Sequence, residues 1–193
     1  MTPLANSKSE QVPFKATQTA IRISQLGIPY NSPLFFPLTV GNYTLGGGGL
    51  VSKLSEEVRE KNGLTYGVYS LFVPLKETGP FLVSLSTKNA QSSQALQLSE
   101  SVVNAFIKEG PNAKELEKAK RYLTGSFPMR LSSNRKLLEV ASRMGAYHLP
   151  ENYLSTYLAK IQAVSIDDIK QAFQSVLNDH PRLVITVGQQ QNG

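Results

Sequence analysis

The sequence predicts an α+β fold: a sheet with helices packed on one face of it. Three observations carry this. An alternating run from Thr17 to Ile28, β-rich runs around residue 70 and a nearly continuous apolar run at Arg182 to Val187 read as strands, whereas the long middle, from Ser92 onward, repeats its apolar residues at helical spacing. The elements follow in the order β-α-α-β-β-α-α-α-α-α-β, which suits one domain with segregated layers. The chain has 193 residues, 40% of them hydrophobic and 18% charged, enough to bury a sizeable core.

Residues 1–16 are rich in Ser, Lys, Gln and Pro and read as a tail or inter-domain linker. A single domain is expected over residues 17–188, with residues 189–193 as a disordered tail. Thr17 to Ile28 alternates around Ala20, Ile21, Ile23 and Leu26 and reads as the first strand. Pro29 to Pro33 is a turn, with Ser32 placed to cap a helix over 34–43 and Pro33 at its first position. Gly46, Gly47, Gly48 and Gly49 are expected to end that helix. Val51, Leu54 and Val58 then recur at helical spacing, with Arg59 and several carboxylates on the remaining face. Asn62-Gly63 stops this second helix. Leu64 to Val73 and Phe81 to Thr87 are rich in β-formers and predict an antiparallel hairpin.

Apolar stripes mark five further helices. Ala95, Leu98, Val102 and Phe106 define one, closed by Gly110-Pro111. Asn112 with Glu115 is a capping-box variant, and Leu116, Ala119 and Leu123 continue behind it until Gly125 and Pro128. Leu137, Leu138, Ala141 and Met144 mark the next, and Tyr153, Leu154, Tyr157, Leu158 and Ile161 the one after. Ser165 caps the last, with Ile169, Ala172, Phe173 and Val176 inward. Arg182 to Val187 is nearly continuous in apolar residues and reads as a central strand.

Several function classes are excluded or disfavoured. The chain has no cysteine, so it has no disulfide framework, thiolate metal site or cysteine nucleophile. No apolar run approaches the roughly 20 residues that span a bilayer, and Met1 to Val12 lacks a signal-like apolar stretch. The net charge of +6 is spread among carboxylates, as in Lys114-Glu115-Leu116-Glu117-Lys118-Ala119-Lys120-Arg121. That is a solvated helix face rather than a nucleic-acid stripe. The two histidines do not make a zinc site, which needs about three converging ligands. His148-Leu149-Pro150-Glu151-Asn152 approaches H-x-x-E-H, but Asn stands at the last ligand position and Pro150 interrupts the helix. His180 sits in a turn before Pro181. No G-x-S-x-G elbow and no phosphate-binding G-x-x-x-x-G-K-[ST] is present.

Two readings stand beside each other for the glycine-to-tyrosine stretch, Leu45 to Tyr69. In the first, Gly46 to Gly49 form a flexible interhelical loop, Arg59 is a surface cation and Tyr66 a sheet residue. In the second, the glycines let the backbone approach an extended ligand, while Arg59 and Tyr66 hold a peptide carbonyl or an oxyanion developing on it.

The stretch also resembles the pitrilysin/insulinase family, which includes mitochondrial processing peptidase and bacterial zinc proteases. The matching pattern is L-G-G-G, S-K-L, E-x-V-R-E-K and G-L-T-Y-G-V-Y-S over Leu45 to Ser70. Gln18 to Ile21, Glu115-Leu116 with Ala119-Lys120, Tyr147 to Tyr153 and the closing V-I-T-V-G extend it over nearly the whole chain. The resemblance implies a two-layer sandwich with a mostly antiparallel or mixed sheet, the LuxS/mitochondrial-processing-peptidase-like metallohydrolase fold. It implies paired homologous domains closing around a peptide. One half carries H-x-x-E-H and holds zinc; the other contributes an Arg and a Tyr seven positions apart, which Arg59 and Tyr66 match. H-x-x-E-H is absent here. The chain is therefore expected to resemble the C-terminal-type half, inactive alone and without a metal of its own. Its expected partners are an H-x-x-E-H-bearing domain or subunit and a peptide, or a second copy of itself in isolation. A catalytically inactive scaffold or assembly subunit of the same family is the alternative. The residues leave the compartment unassigned, and the resemblance leans toward a bacterial envelope or periplasm.

Overall fold

Gln18–Leu26 buries every second residue. Thr19, Ile21, Ile23 and Gln25 face inward, while Gln18 and Arg22 face solvent. In the computed structural model, which describes residues 4–189, this strand, β2, lies at the middle of a five-stranded sheet. The other strands are β1 (Lys8–Pro13), β3 (Val68–Phe72), β4 (Pro80–Lys88) and β5 (Leu183–Gly188), and their order is β1-β5-β2-β4-β3. β1 runs parallel to β5 and every other pairing is antiparallel. The sheet is thus mixed and mostly antiparallel, as the resemblance implies, and β5 is interior to it.

Among the described residues, six α-helices complete the fold: α1 (Phe35–Asn42), α2 (Ser92–Glu109), α3 (Ala113–Ser126), α4 (Asn134–Ala146), α5 (Tyr153–Ala163) and α6 (Ile166–Leu177). The helices cover one face of the sheet. Phe81, Val83 and Leu85 of β4 join Ile21 and Ile23 of β2 in a core with Leu38 and Val40 of α1, Val103 and Phe106 of α2, and Ile169, Phe173 and Leu177 of α6. Phe173 meets both Phe106 and Phe72 edge-on. The opposite face carries Arg22, Tyr69, Ser86 and Lys88 in the open.

The structure departs from the sequence reading in several places. Residues 8–13, expected within a tail or linker, form β1. All six side chains are exposed, so no apolar alternation marks it, and pairing with β5 alone makes it a strand. The disordered tail expected at 189–193 lies, beyond residue 189, outside the described residues. Gly46 and Gly47 do not end the helix that begins at Phe35. They sit in a π-helical turn, Tyr43–Gly47, that continues it, and the helical path breaks at Gly48 and Gly49. A 3₁₀ turn, Gly49–Val51, follows, and then a second π-helical segment, Ser55–Lys61. Leu54 and Val58 point inward as expected, but Val51 is 51% exposed because the 3₁₀ turn precedes the segment that buries them. The strand expected from Leu64 starts only at Val68. α4 buries none of its residues; Leu138 is 68% exposed. Its stripe is amphipathic, but only Met144 packs against the core.

Candidate functional site

The segment carrying Arg59 is fixed at its C-terminal end by local chemistry. Gly63 takes φ +61°, a left-handed conformation that glycine adopts at little cost. Its N–H donates to the Arg59 carbonyl at 2.9 Å, and the Leu64 N–H donates to the Val58 carbonyl at 3.0 Å. This is a Schellman-like closure, widened by the π-helical turn, with Leu64 buried beneath it. Lys61 takes up two of the carboxylates on this segment, Glu57 at 2.7 Å and Glu56 at 2.9 Å. Its ammonium pKa is raised by those hydrogen bonds, Glu57 first, and the hydrogen bond from Lys61 holds the Glu56 carboxyl below its usual range.

Arg59 therefore has one carboxylate neighbour on its own segment, Glu60, with Nη1 and Oε1 3.1 Å apart. The contact has the distance of an ion pair, but its angle does not make a hydrogen bond. Nη1, itself buried, has no hydrogen-bond acceptor among the described residues. The distance establishes the charge pairing, and the geometry leaves the N–H groups on Nη1 uncommitted.

Downstream, Tyr66 sits at a bend outside any strand and is 88% exposed. The sequence reading placed it at the start of a strand. The reason it is not one lies in its neighbours. The Thr65 hydroxyl donates to the Ser86 carbonyl, and Thr87 Oγ1 donates to the Leu64 carbonyl. Side chains, rather than a backbone ladder, bind this segment to β4.

Arg59 and Tyr66 line one cleft of about 340 Å³, together with Gln18, Glu60, Thr65, Lys88 and Gln91. The fold thus brings together the two residues that the sequence paired at a spacing of seven. The four glycines are not among the residues lining that cleft. Gly46 is buried against the edge strand, where an added Cβ would stand 2.5 Å from the Ser70 nitrogen. Gly47 and Gly48 lie against Asn42 and Tyr43, and Gly49 takes φ +64° with open space around it. Gly47 and Gly49, with the exposed Leu50 and Val51 beyond them, are the part of this turn that a ligand could reach. The cleft residues that the sequence did not suggest, Gln18, Ser86, Lys88 and Gln91, come from the ends of β2 and β4 and the turn before α2. They are distant in sequence, and no local motif marks them.

The residues present do not fit a zinc ion. His148 is exposed with φ 51°, in the turn after α4, and His180 is exposed before Pro181. Among the described residues no group of three or more His, Cys, Asp or Glu could hold a metal. Nor, among them, is any helix long and apolar enough to cross a membrane.

Among the described residues the chain thus combines a sheet with helices on one face, a cation and a phenol on one cleft, and no metal-ligand set. The family model for the peptidase M16 inactive domain matches residues 1–123, and the chain belongs to that family. A solved structure, the peptidase M16 inactive domain from Pseudomonas fluorescens, is 36% identical with a TM-score of 0.91, covering 96% of this chain and 44% of that one. A non-peptidase homolog from Helicobacter pylori is 30% identical over 86% of this chain and 38% of its own length. An uncharacterized zinc protease from Streptomyces coelicolor is 27% identical over 94% and 39%. The chain spans about two fifths of the length of these curated relatives.

Proposed function

We propose that this chain is the substrate-clasping half of a two-half zinc metallopeptidase, with Arg59 and Tyr66 contacting the carbonyl of the peptide bond to be cut. The observation that carries the reading is their shared cleft. Tyr66 is free to reach outward, and the Arg59 side chain, 32% exposed, lines the same cleft. A guanidinium and a neutral phenol are both donors, and both strengthen as negative charge grows on a carbonyl oxygen. The zinc and the general base belong, on this reading, to a homologous half bearing H-x-x-E-H. Outside that cleft, the exposed Gly47 and Gly49 of the glycine turn offer backbone to the same peptide. The relatives are more than twice as long as this chain, which leaves room for such a half in each.

The test is a peptide-cleavage assay of this chain alone and joined with an H-x-x-E-H-bearing half. The lone chain is expected to cleave nothing. In the joined protein, Arg59→Ala or Tyr66→Phe is expected to lower kcat by about 10²–10³-fold. Cleavage by the lone chain, or full activity in a joined double variant, would sink the proposal. A second reading, an inactive scaffold subunit, is favoured by the description of the Helicobacter relative as a non-peptidase homolog. It predicts no cleavage in any combination, with assembly unaffected by either substitution.

A further inference from the structure

The β3–β4 ladder begins where Val68 faces Leu85, so the carbonyl of Ser86, the next residue of β4, has no strand residue of β3 opposite it. Thr65 takes that place. Its Oγ1 lies 2.7 Å from the Ser86 carbonyl and 2.9 Å from the Gly67 carbonyl. A hydroxyl has one proton, and the shorter contact to Ser86 is the better placed to take it. The oxygen is then free to accept, and the Gly67 N–H donates to it at 3.1 Å. A single buried hydroxyl thus ties both sides of Tyr66 to β4: the preceding residue through its own side chain, the following one through its N–H. Thr87 repeats the device one step earlier, on the Leu64 carbonyl. Packing contributes nothing at Gly67, around which a Cβ would find open space. Tyr66 itself is 88% exposed. The position of its phenol over the cleft therefore depends on hydrogen bonds to its neighbours.

We infer that Thr65 is the positioning residue for Tyr66, its hydroxyl fixing the loop from which the phenol meets the substrate carbonyl. This rests on the proposed role of Tyr66. A donor held in place before the reaction begins accelerates it, whereas a donor that must first be ordered loses much of that effect. Loss of the clamp should therefore act on kcat rather than KM.

The experiment has two arms. In the joined two-half protein, Thr65→Val is expected to lower kcat on the order of tenfold with KM within about twofold, and Thr65→Ser to restore it. Thr65→Val on a Tyr66→Phe background should add nothing further. In this chain alone, backbone NMR order parameters at Tyr66 and Gly67 are expected to fall in Thr65→Val and to stay at the wild-type level in Thr65→Ser. Thr65→Ala replaces the valine variant should that one not fold. If the amides of the hydroxyl-free variant remain as rigid as in wild type, or its kcat loss multiplies with that of Tyr66→Phe, the inference is overturned. If Tyr66→Phe is itself fully active, the carbonyl-contact reading fails, and the order parameters still decide whether Thr65 is the clamp.

Discussion

Gly46 occupies a place where a side chain has no room. A Cβ there would stand 2.4 Å from Ser70 Oγ, 2.5 Å from Ser70 N and 2.8 Å from Leu54 Cδ1. Ser70 cannot yield easily, because its hydroxyl donates to Asn42 Oδ1 at 2.7 Å while Asn42 Nδ2 donates to the Ser70 carbonyl at 3.1 Å. Gly46→Ala is expected to destabilise the chain by about 1–3 kcal/mol, the range for overpacking a filled core, read as a lower denaturant midpoint. Gly49 is the contrasting case. Its surroundings are open but its φ of +64° disfavours a side chain, so Gly49→Ala should cost about 1–2 kcal/mol through backbone conformation alone. An unchanged midpoint in the first variant would remove the packing argument. The sequence could not separate these roles. Four consecutive glycines look alike, and the Ser70 against which Gly46 packs lies 24 residues away, on a strand whose register only the folded sheet sets. Arg59 and Tyr66 were paired by the family resemblance, and the structure adds that both line one cleft.

At the scale of elements, what is local in cause was also local in sign. Both capping boxes could be read or partly read. Asn112 accepts from the Glu115 N–H at 3.0 Å, and Ser165 Oγ accepts from the Asp168 N–H at 3.1 Å, with each acid returning a bond to the N-cap backbone. The π-helical turns were not readable, since Leu54 and Val58 have the same spacing in an α-helix. The α6 cap makes a pH-dependent prediction. The Ser165 N–H, first, and the Ser165 hydroxyl hold the Asp168 carboxyl below its ordinary value. A depressed pKa means that the folded state favours the ionised acid. Its contribution is present above the unfolded value near 4 and is lost as pH falls through the folded value. Asp168→Asn should therefore lower stability at pH 7 but little at pH 2, measured as urea midpoints at the two pH values. A deficit of equal size at both would show that the charge is irrelevant. Ser165→Ala should cost about 1 kcal/mol at neutral pH.

At the scale of the molecule, the layers and the interior position of β5 followed from patterning, because a strand flanked on both sides reads as a nearly continuous apolar run. β1 did not, because its side chains bury nothing; it is defined by what it covers. Lys8 to Pro13 pairs residue for residue with Leu183 to Gly188. Without it, β5 would present Leu-Val-Ile-Thr-Val as an open edge, an apolar strand with unpaired backbone groups and no charge. Lys8 and Glu10, 3.2 Å apart on the present edge, keep that edge polar. Removing residues 1–13 should accordingly leave the helical signal nearly intact, since the core residues lie on β2 to β5 and the helices. The truncated chain should self-associate with rising concentration, seen by light scattering, while the full chain stays monodisperse under the same conditions. Ile185→Lys in the truncated chain places a charge on the newly exposed strand and should reverse the association. A truncated chain that scatters like the full one would mean that β1 protects nothing, and an equal loss of helical signal would mean that the core depends on it.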